Sequence, residues 1–184
     1  MAKKLVNEIT DELQEEKISA LKEFIDSTFF KDDKHNDRNA AIKQMQTIKL
    51  TYEQVAKMSS ENILFYLNYN KGFGLSRFKT YSYEKRLEIL DKLLTVDLQN
   101  RANVVHFADF LIWSMNYLYK DEDMTKLVQY FCDNTNYKHS YQIFEVYSVY
   151  VRLVDDMKCK EVIVAKHKEV EAIKEEKIKS RIIL

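Results

Sequence analysis

The chain has 184 residues and a mass of 22.0 kDa, with 46% hydrophobic and 32% charged residues, a composition typical of a soluble globular protein. Only two residues are glycine and none is proline, where average usage would supply roughly 13 and 9. Sandwiches, barrels and hairpins need these turn formers, so the composition disfavours them and predicts a mostly helical protein. The 29 basic and 29 acidic side chains cancel, so the chain lacks the overall positive field of many nucleic-acid-binding proteins.

The few glycines and cysteines exclude several classes of enzyme and cofactor site. Gly72 and Gly74 are the only glycines, so no Walker A loop, GxGxxG motif or GxSxG nucleophile elbow can be written. No HExxH motif or EF-hand loop is present either. Cys132 and Cys159 lie 27 positions apart, which does not fit a structural zinc site. We therefore expect no cofactor and no bound metal.

Targeting signals are also missing from the sequence. Residues 1–12 carry charges without the apolar core of a secretion signal, and the most apolar stretch, residues 104–115, is too short to span a bilayer. Two cysteines without a signal peptide point to a reducing compartment. We expect a cytoplasmic protein with no membrane partner. Its abundant Lys, Asn, Ile and Tyr have AT-rich codons, which points to a low-GC bacterium, a phage of one, or a protist.

Apolar residues that repeat every three or four positions predict helices along most of the chain. The first runs to Phe29, as one long helix or two short ones. Segment 73–81 is the clearest irregular stretch, because Asn70-Lys71-Gly72 before it is typical of a helix end. The later helices are predicted to start at capping residues: Asn36 or Asp37, Thr51 with Gln54 as a capping box, Ser59 or Ser60, Ser82, and Asn100.

The segment Asn100–Tyr119 is predicted to be the central, buried helix, since it is the most apolar and has apolar residues on more than one face. A further helical stripe is predicted at Ile143, Phe144, Tyr147, Val151 and Val154. The β-branched residues there leave a strand as the alternative. Nothing in the pattern forces a break at Asp155, so one helix or two over residues 140–180 both stay open.

These patterns predict an all-α, single-domain helical bundle of about seven to nine helices, built around residues 100–119. We expect the globular domain to cover residues 1–157. Residues 158–184 form a charged C-terminal helix whose apolar stripe is too thin to be stable alone, so it must dock on the body or on a partner. A homo-oligomer formed through this helix is one hypothesis.

The most informative functional signal is a mixture of cations and aromatic rings over residues 71–86, with Glu84 as its one acid. Cations that meet phosphates and rings that stack on bases are what a single-strand nucleic-acid binder needs. The same residue types are enriched at protein interfaces. An ordinary loop, with its aromatic side chains packed inward, is the third reading. The candidate partner- or nucleic-acid-binding residues are Lys71, Phe73, Arg77, Phe78, Lys79, Tyr81, Lys85 and Arg86.

The segment Leu50–Ser59 resembles the first helix of a helix-turn-helix. The recognition helix would then be Ser60–Asn68, in which Glu61 is the only charged residue. A helix that enters a phosphate-lined groove needs polar and basic side chains that reach base edges. We therefore do not read this segment as a DNA-reading motif.

Two pairs of residues offer an enzymatic alternative. His106 and Asp109 stand at i and i+3 on the most apolar helix, where burial would perturb both of their pKa values. Cys132 and His139 flank a polar loop and could form a nucleophile and its base. For each pair the plainer reading is a structural role: a polar pair satisfied in the core, and a buried cysteine that fills space.

We predict a non-enzymatic protein–protein interaction protein, an adaptor or inhibitor that occupies a partner's surface, with a phage or other mobile element as one source. The first alternative is a nucleic-acid-binding accessory protein that uses residues 71–86. The second is an enzyme with a site around His106 and Asp109.

Overall fold

The computed structural model of the chain describes residues 2–28, 31–71, 74, 76–114 and 120–182. Over these ranges the protein is all-α, with ten α-helices, of which eight have seven residues or more, and no β-strand. The predicted fold class is therefore confirmed. The helices are α1 (Ala2–Thr28), α2 (His35–Thr47), α3 (Tyr52–Lys57), α4 (Ser60–Tyr69), α5 (Ser76–Phe78), α6 (Tyr83–Leu93), α7 (Arg101–Ser114), α8 (Asp121–Asp133), α9 (Ser140–Tyr150) and α10 (Lys158–Ile182).

The chain forms two compact units, residues 1–95 and residues 96–184. In the first unit α1 packs against α2 and α4, and α4 packs against α6. In the second unit α10 packs against α8 and α9, and α7 packs against the same two helices. The charged C-terminal helix, expected to dock on the body or on a partner, buries Cys159, Ile163 and Val170 within the second unit.

In the first unit, polar side chains cap α3, α4 and α6 at predicted positions. Thr51 and Gln54 form the capping box: Thr51 Oγ1 accepts from the Gln54 N–H at 3.3 Å, and Gln54 Oε1 accepts from the Thr51 N–H at 2.9 Å. Ser59 caps α4 and Ser82 caps α6 in the same manner. Each hydroxyl satisfies an amide that the first helical turn leaves without an intrahelical partner.

One predicted helix start was wrong. Helix α2 begins at His35 rather than after Asn36 or Asp37, and Lys34 precedes it without a side-chain cap. A short 3-10 turn, Asp32–Lys34, leads directly into the helix and makes a side-chain cap unnecessary there.

The core of the first unit is organised around α4. Every residue from Asn62 to Asn68 is buried. Gly74 lies against this helix, and a Cβ at that position would come within 2.9 Å of the Tyr66 carbonyl oxygen. Glycine is therefore required at position 74 for close backbone approach. Gly72, the predicted helix-ending residue, lies outside the described residues.

The second unit is built around α7, which confirms the predicted central helix as far as Ser114. Asn100 Oδ1 accepts from the Ala102 N–H at 2.9 Å at its start. Residues 115–119 lie outside the described part of the chain. The helix buries residues on most of its circumference: Asn103, Val104, His106, Phe107, Ala108, Phe110, Leu111 and Ser114.

Residues 140–180 form two helices, α9 and α10, joined by a turn after Tyr150. The carboxylate of Asp121, at the start of α8, accepts from the Lys158 N–H at 3.0 Å and from the Cys159 N–H at 3.2 Å, so it caps the first turn of α10. Partial burial alone would raise the pKa of the Asp121 carboxyl, but these hydrogen bonds outweigh it and hold the pKa below its usual value.

The buried face of α9 differs from the predicted stripe. Ile143, Val146 and Tyr150 are all 0% exposed, and the Tyr150 hydroxyl donates to the Leu111 carbonyl of α7 at 3.0 Å. The predicted stripe was wrong at Phe144, Val151 and Val154, which are exposed. Both faces of this helix are apolar, so periodicity alone does not tell the inner face from the outer one.

We expect Tyr150→Phe to lower the free energy of unfolding of the protein by about 1–3 kcal/mol, because it removes a buried hydrogen bond without removing the ring. The matched control is Tyr141→Phe on the same helix, where the ring is 66% exposed. It should change stability by no more than about 0.5 kcal/mol. Urea unfolding followed by circular dichroism measures both. Equal effects of the two substitutions would contradict the assignment of the inner face.

Candidate functional site

The aromatic residues of segment 71–86 point largely into the first unit. Phe78 is 0% exposed, so it belongs to the core rather than to a contact surface. Tyr81 is half-buried and its ring lies 5.3 Å from that of Tyr52, edge to face. Phe73 lies outside the described residues. This placement matches the reading in which the aromatic side chains of the segment pack inward.

Two arginines of the segment bind backbone carbonyl groups of the protein itself. Arg77 Nη1 donates to the Leu50 carbonyl at 3.1 Å. Arg86 Nη1 donates to the carbonyls of Lys79 and Tyr81, at 3.1 Å and 2.9 Å. Charge-assisted bonds of this kind hold an irregular segment in place. Both guanidinium groups therefore have structural contacts that a partner would have to replace.

Lys85 belongs to a small polar cluster between α3 and α6. Its Nζ lies 4.2 Å from the centre of the Tyr52 ring and 3.7 Å from Glu53 Oε1. The Tyr52 hydroxyl donates to Glu88. Burial of the phenol and this hydrogen bond raise the pKa of Tyr52 to about 12. The cluster joins the two helices.

The side chains of Lys71 and Lys79 are exposed, like those of Arg77 and Lys85. The structure thus separates the seven described residues of the predicted set into a core phenylalanine, a half-buried tyrosine, two internally bonded arginines, a clustered lysine and two surface lysines. The segment does not form one continuous exposed basic–aromatic surface in the described residues.

We expect Arg86→Ala to lower the free energy of unfolding by about 1–2 kcal/mol, because two charge-assisted hydrogen bonds to the backbone are lost. Lys79→Ala, an exposed cation of the same segment, is the control and should have an effect within about 0.5 kcal/mol. Chemical denaturation measures both changes. If Arg86→Ala were as mild as the control, the arginine would be available for a partner.

The two residue pairs considered as catalytic are not arranged as exposed reactive groups. His106 is 1% exposed inside the second unit, while Asp109 is half-buried and close to Tyr141. Burial raises the pKa of Cys132 to about 12, so its thiol stays protonated at neutral pH, opposite to an activated nucleophile. Nδ1 of His139 accepts from the Asn136 N–H at 3.3 Å.

Each unit has an open groove lined by described residues. In the second unit a groove of about 410 Å³ runs between α8 and α10 beside Cys132 and Lys166, whose ammonium lies 3.3 Å from Glu169. In the first unit a groove of about 610 Å³ lies between α1 and α4. Its Glu15 accepts from the Ser59 N–H at 2.9 Å and thus supports the start of α4.

No group of three metal-ligating side chains occurs among the described residues.

The most exposed apolar surface lies on α9 and the turn after it. Eight large apolar side chains of the described residues are at least 36% exposed, and four of them fall within residues 141–154. Tyr141 is 66% exposed, Phe144 51% and Val151 36%. We call the surface formed by Tyr141, Phe144, Glu145, Ser148, Val151 and Arg152 the α9 outer face.

Helix geometry explains why the exposed residues of α9 form a face separate from the buried one. At about 100° per residue, the apolar members of the outer face and Ser148 fall within an arc of about 80°. The buried residues of α9 occupy the opposite side. The chain keeps turning beyond Tyr150, since the Val151 N–H donates to the Tyr147 carbonyl at 2.9 Å and the Leu153 N–H to the Tyr150 carbonyl at 3.0 Å. Val151 and Arg152 therefore extend the same face.

The aromatic rings of the outer face are braced from the side by α10. His167 stacks on Tyr147 with ring centres 4.0 Å apart and planes 8° apart, and it lies 5.8 Å from the Phe144 ring. On the other flank, the Glu145 carboxylate lies near the Tyr141 hydroxyl and raises the pKa of Tyr141. Both exposed rings are thus held by neighbours and lose little freedom when a partner covers them.

The spacing of Tyr141, Phe144, Ser148 and Val151 is visible in the sequence, at steps of three, four and three. The sequence does not show that a second, equally apolar face of the same helix is the one that packs inward. Contacts from α7 decide this, and they depend on the tertiary fold.

Comparison of the chain with known protein families, with characterised proteins and with solved structures gave no match. Among the helices of the described residues, none combines the length and the apolar character needed to cross a bilayer.

Proposed function

We propose that the protein is a non-enzymatic interaction protein, an adaptor or inhibitor, that binds a partner protein through the α9 outer face. One observation carries the proposal: Tyr141 and Phe144 are more than half exposed on a helix whose opposite face is completely buried. Contiguous exposed apolar surface of this kind marks interaction sites.

The chemistry of the face also fits a protein partner. Aromatic side chains dominate the binding energy of protein interfaces, and here two of them are surrounded by Glu145, Ser148 and Arg152 as a polar rim. Burial of a phenylalanine that is half exposed contributes on the order of 1 kcal/mol to binding. One acidic and one basic side chain flank the rings, so the face has no excess of positive charge that would favour nucleic acid.

Site-specific photo-cross-linking tests this proposal. With p-benzoylphenylalanine in place of Phe144, irradiation should join the protein to a specific protein partner. The matched control is the same substitution at Phe24, which is 39% exposed in the first unit and should give no such product. Cross-linking that is absent at position 144, or equal at both positions, would contradict the proposal.

The same experiment addresses the nucleic-acid alternative. Lys71, Arg77, Lys79 and Lys85 are the exposed cations of segment 71–86. A photo-cross-linker in place of Lys79 that captured nucleic acid, and released it after nuclease treatment, would favour that alternative over the α9 outer face.

A further inference from the structure

We propose that the occupant of the α9 outer face is a second copy of this chain, paired antiparallel to the first across a two-fold axis near Ser148. This inference rests on the proposed function, since it names the partner of the same face. It follows from three properties of the face: the symmetry of its exposed residues, the placement of its charges, and the small side chain at its centre.

The exposed apolar residues are symmetric about one point. Phe144 and Val151 are equally distant in sequence from the midpoint between Tyr147 and Ser148. Both are exposed, at 51% and 36%. When two such segments run antiparallel, Phe144 of each copy meets Val151 of the other. A two-fold interface requires this kind of self-complementary surface.

The charges of the face are self-complementary in the same arrangement. Glu145 and Arg152 lie about two helical turns apart on one edge, on either side of a centre one residue beyond that of the apolar pair. In the antiparallel pair, Glu145 of each copy faces Arg152 of the other, which gives two identical ion pairs. In two parallel copies the charged edges would lie on opposite sides of the interface, so these ion pairs would not form. Flanking charges of this kind set the orientation of paired helices.

Ser148 permits the two helices to approach closely. Its side chain is small, and its hydroxyl donates to the Glu145 carbonyl of the same helix at 2.8 Å. Covering it therefore leaves no donor without an acceptor. The formal net charge of the chain is zero, so no long-range repulsion opposes the meeting of two copies.

The C-terminal helix is a poorer site for self-association. Its apolar positions Ile163 and Val170 are 0% and 1% exposed, because they pack within the second unit. The outer face is short, about 18 Å over residues 141–152. Stable dimers bury roughly 800 Å² per partner, so a face of this length predicts a weak, reversible pair.

Sedimentation of the purified chain over a range of concentrations tests the pairing. We expect reversible dimers, and Phe144→Ala should weaken them at least roughly tenfold, whereas the matched Phe24→Ala should leave them unchanged. Both side chains are exposed, and circular dichroism checks that each variant is folded.

Charge reversal provides the sharper test. Glu145→Arg and Arg152→Glu should each weaken the homodimer, because each puts like charges at both ion-pair positions. A mixture of the two single variants should pair, since every contact between them again joins opposite charges, and the double variant should pair with itself. A chain that stays monomeric up to about 1 mM, or dimers insensitive to these variants, would overturn the inference.

The outcomes separate this inference from the proposed function. A chain that is monomeric, yet cross-links from position 144 to a different protein, overturns the self-pairing and leaves the interaction function standing. The absence of both dimers and cross-links at position 144 overturns both.

Discussion

One side of α9 is buried in the core of the second unit, and the packing of this unit depends on that burial. The Tyr150 hydroxyl fixes the end of this helix to the Leu111 carbonyl, while Ile143 and Val146 fill the space beneath it. A helix anchored in this way cannot rotate to hide its other apolar residues. Tyr141 and Phe144 therefore stay in solvent, and their exposure is a consequence of the packing beneath them.

Internal hydrogen bonds explain why the side chains of segment 71–86 are less available at the surface than the composition of the segment predicts. Irregular backbone between helices needs hydrogen-bond donors, and with two glycines and no proline the chain has few residues that favour tight turns. Arg77 and Arg86 supply those donors from their side chains. Cationic and aromatic side chains that lie close together in a sequence can thus stabilise a loop rather than bind a partner.

Much of the fold could be predicted from local patterns. The scarcity of glycine and proline indicated the all-α class, and capping residues located the starts of α3, α4, α6 and α7, because a cap acts within one helical turn. The inner face of α9 could not be predicted, since Phe144 and Val146 are both apolar and only contacts from other helices decide between them. The turn after Tyr150 was equally ambiguous, because the sequence there contains neither glycine nor proline.

We propose that α9 has two roles: its inner face packs within the second unit, and its outer face binds another chain. Hydroxyl-radical footprinting of the purified protein over a range of concentrations tests this most directly. The account predicts that oxidation of Tyr141 and Phe144 falls as concentration rises, while Trp113 and Phe24, which are 44% and 39% exposed, keep constant rates. Oxidation of Tyr141 and Phe144 that does not change with concentration would contradict it.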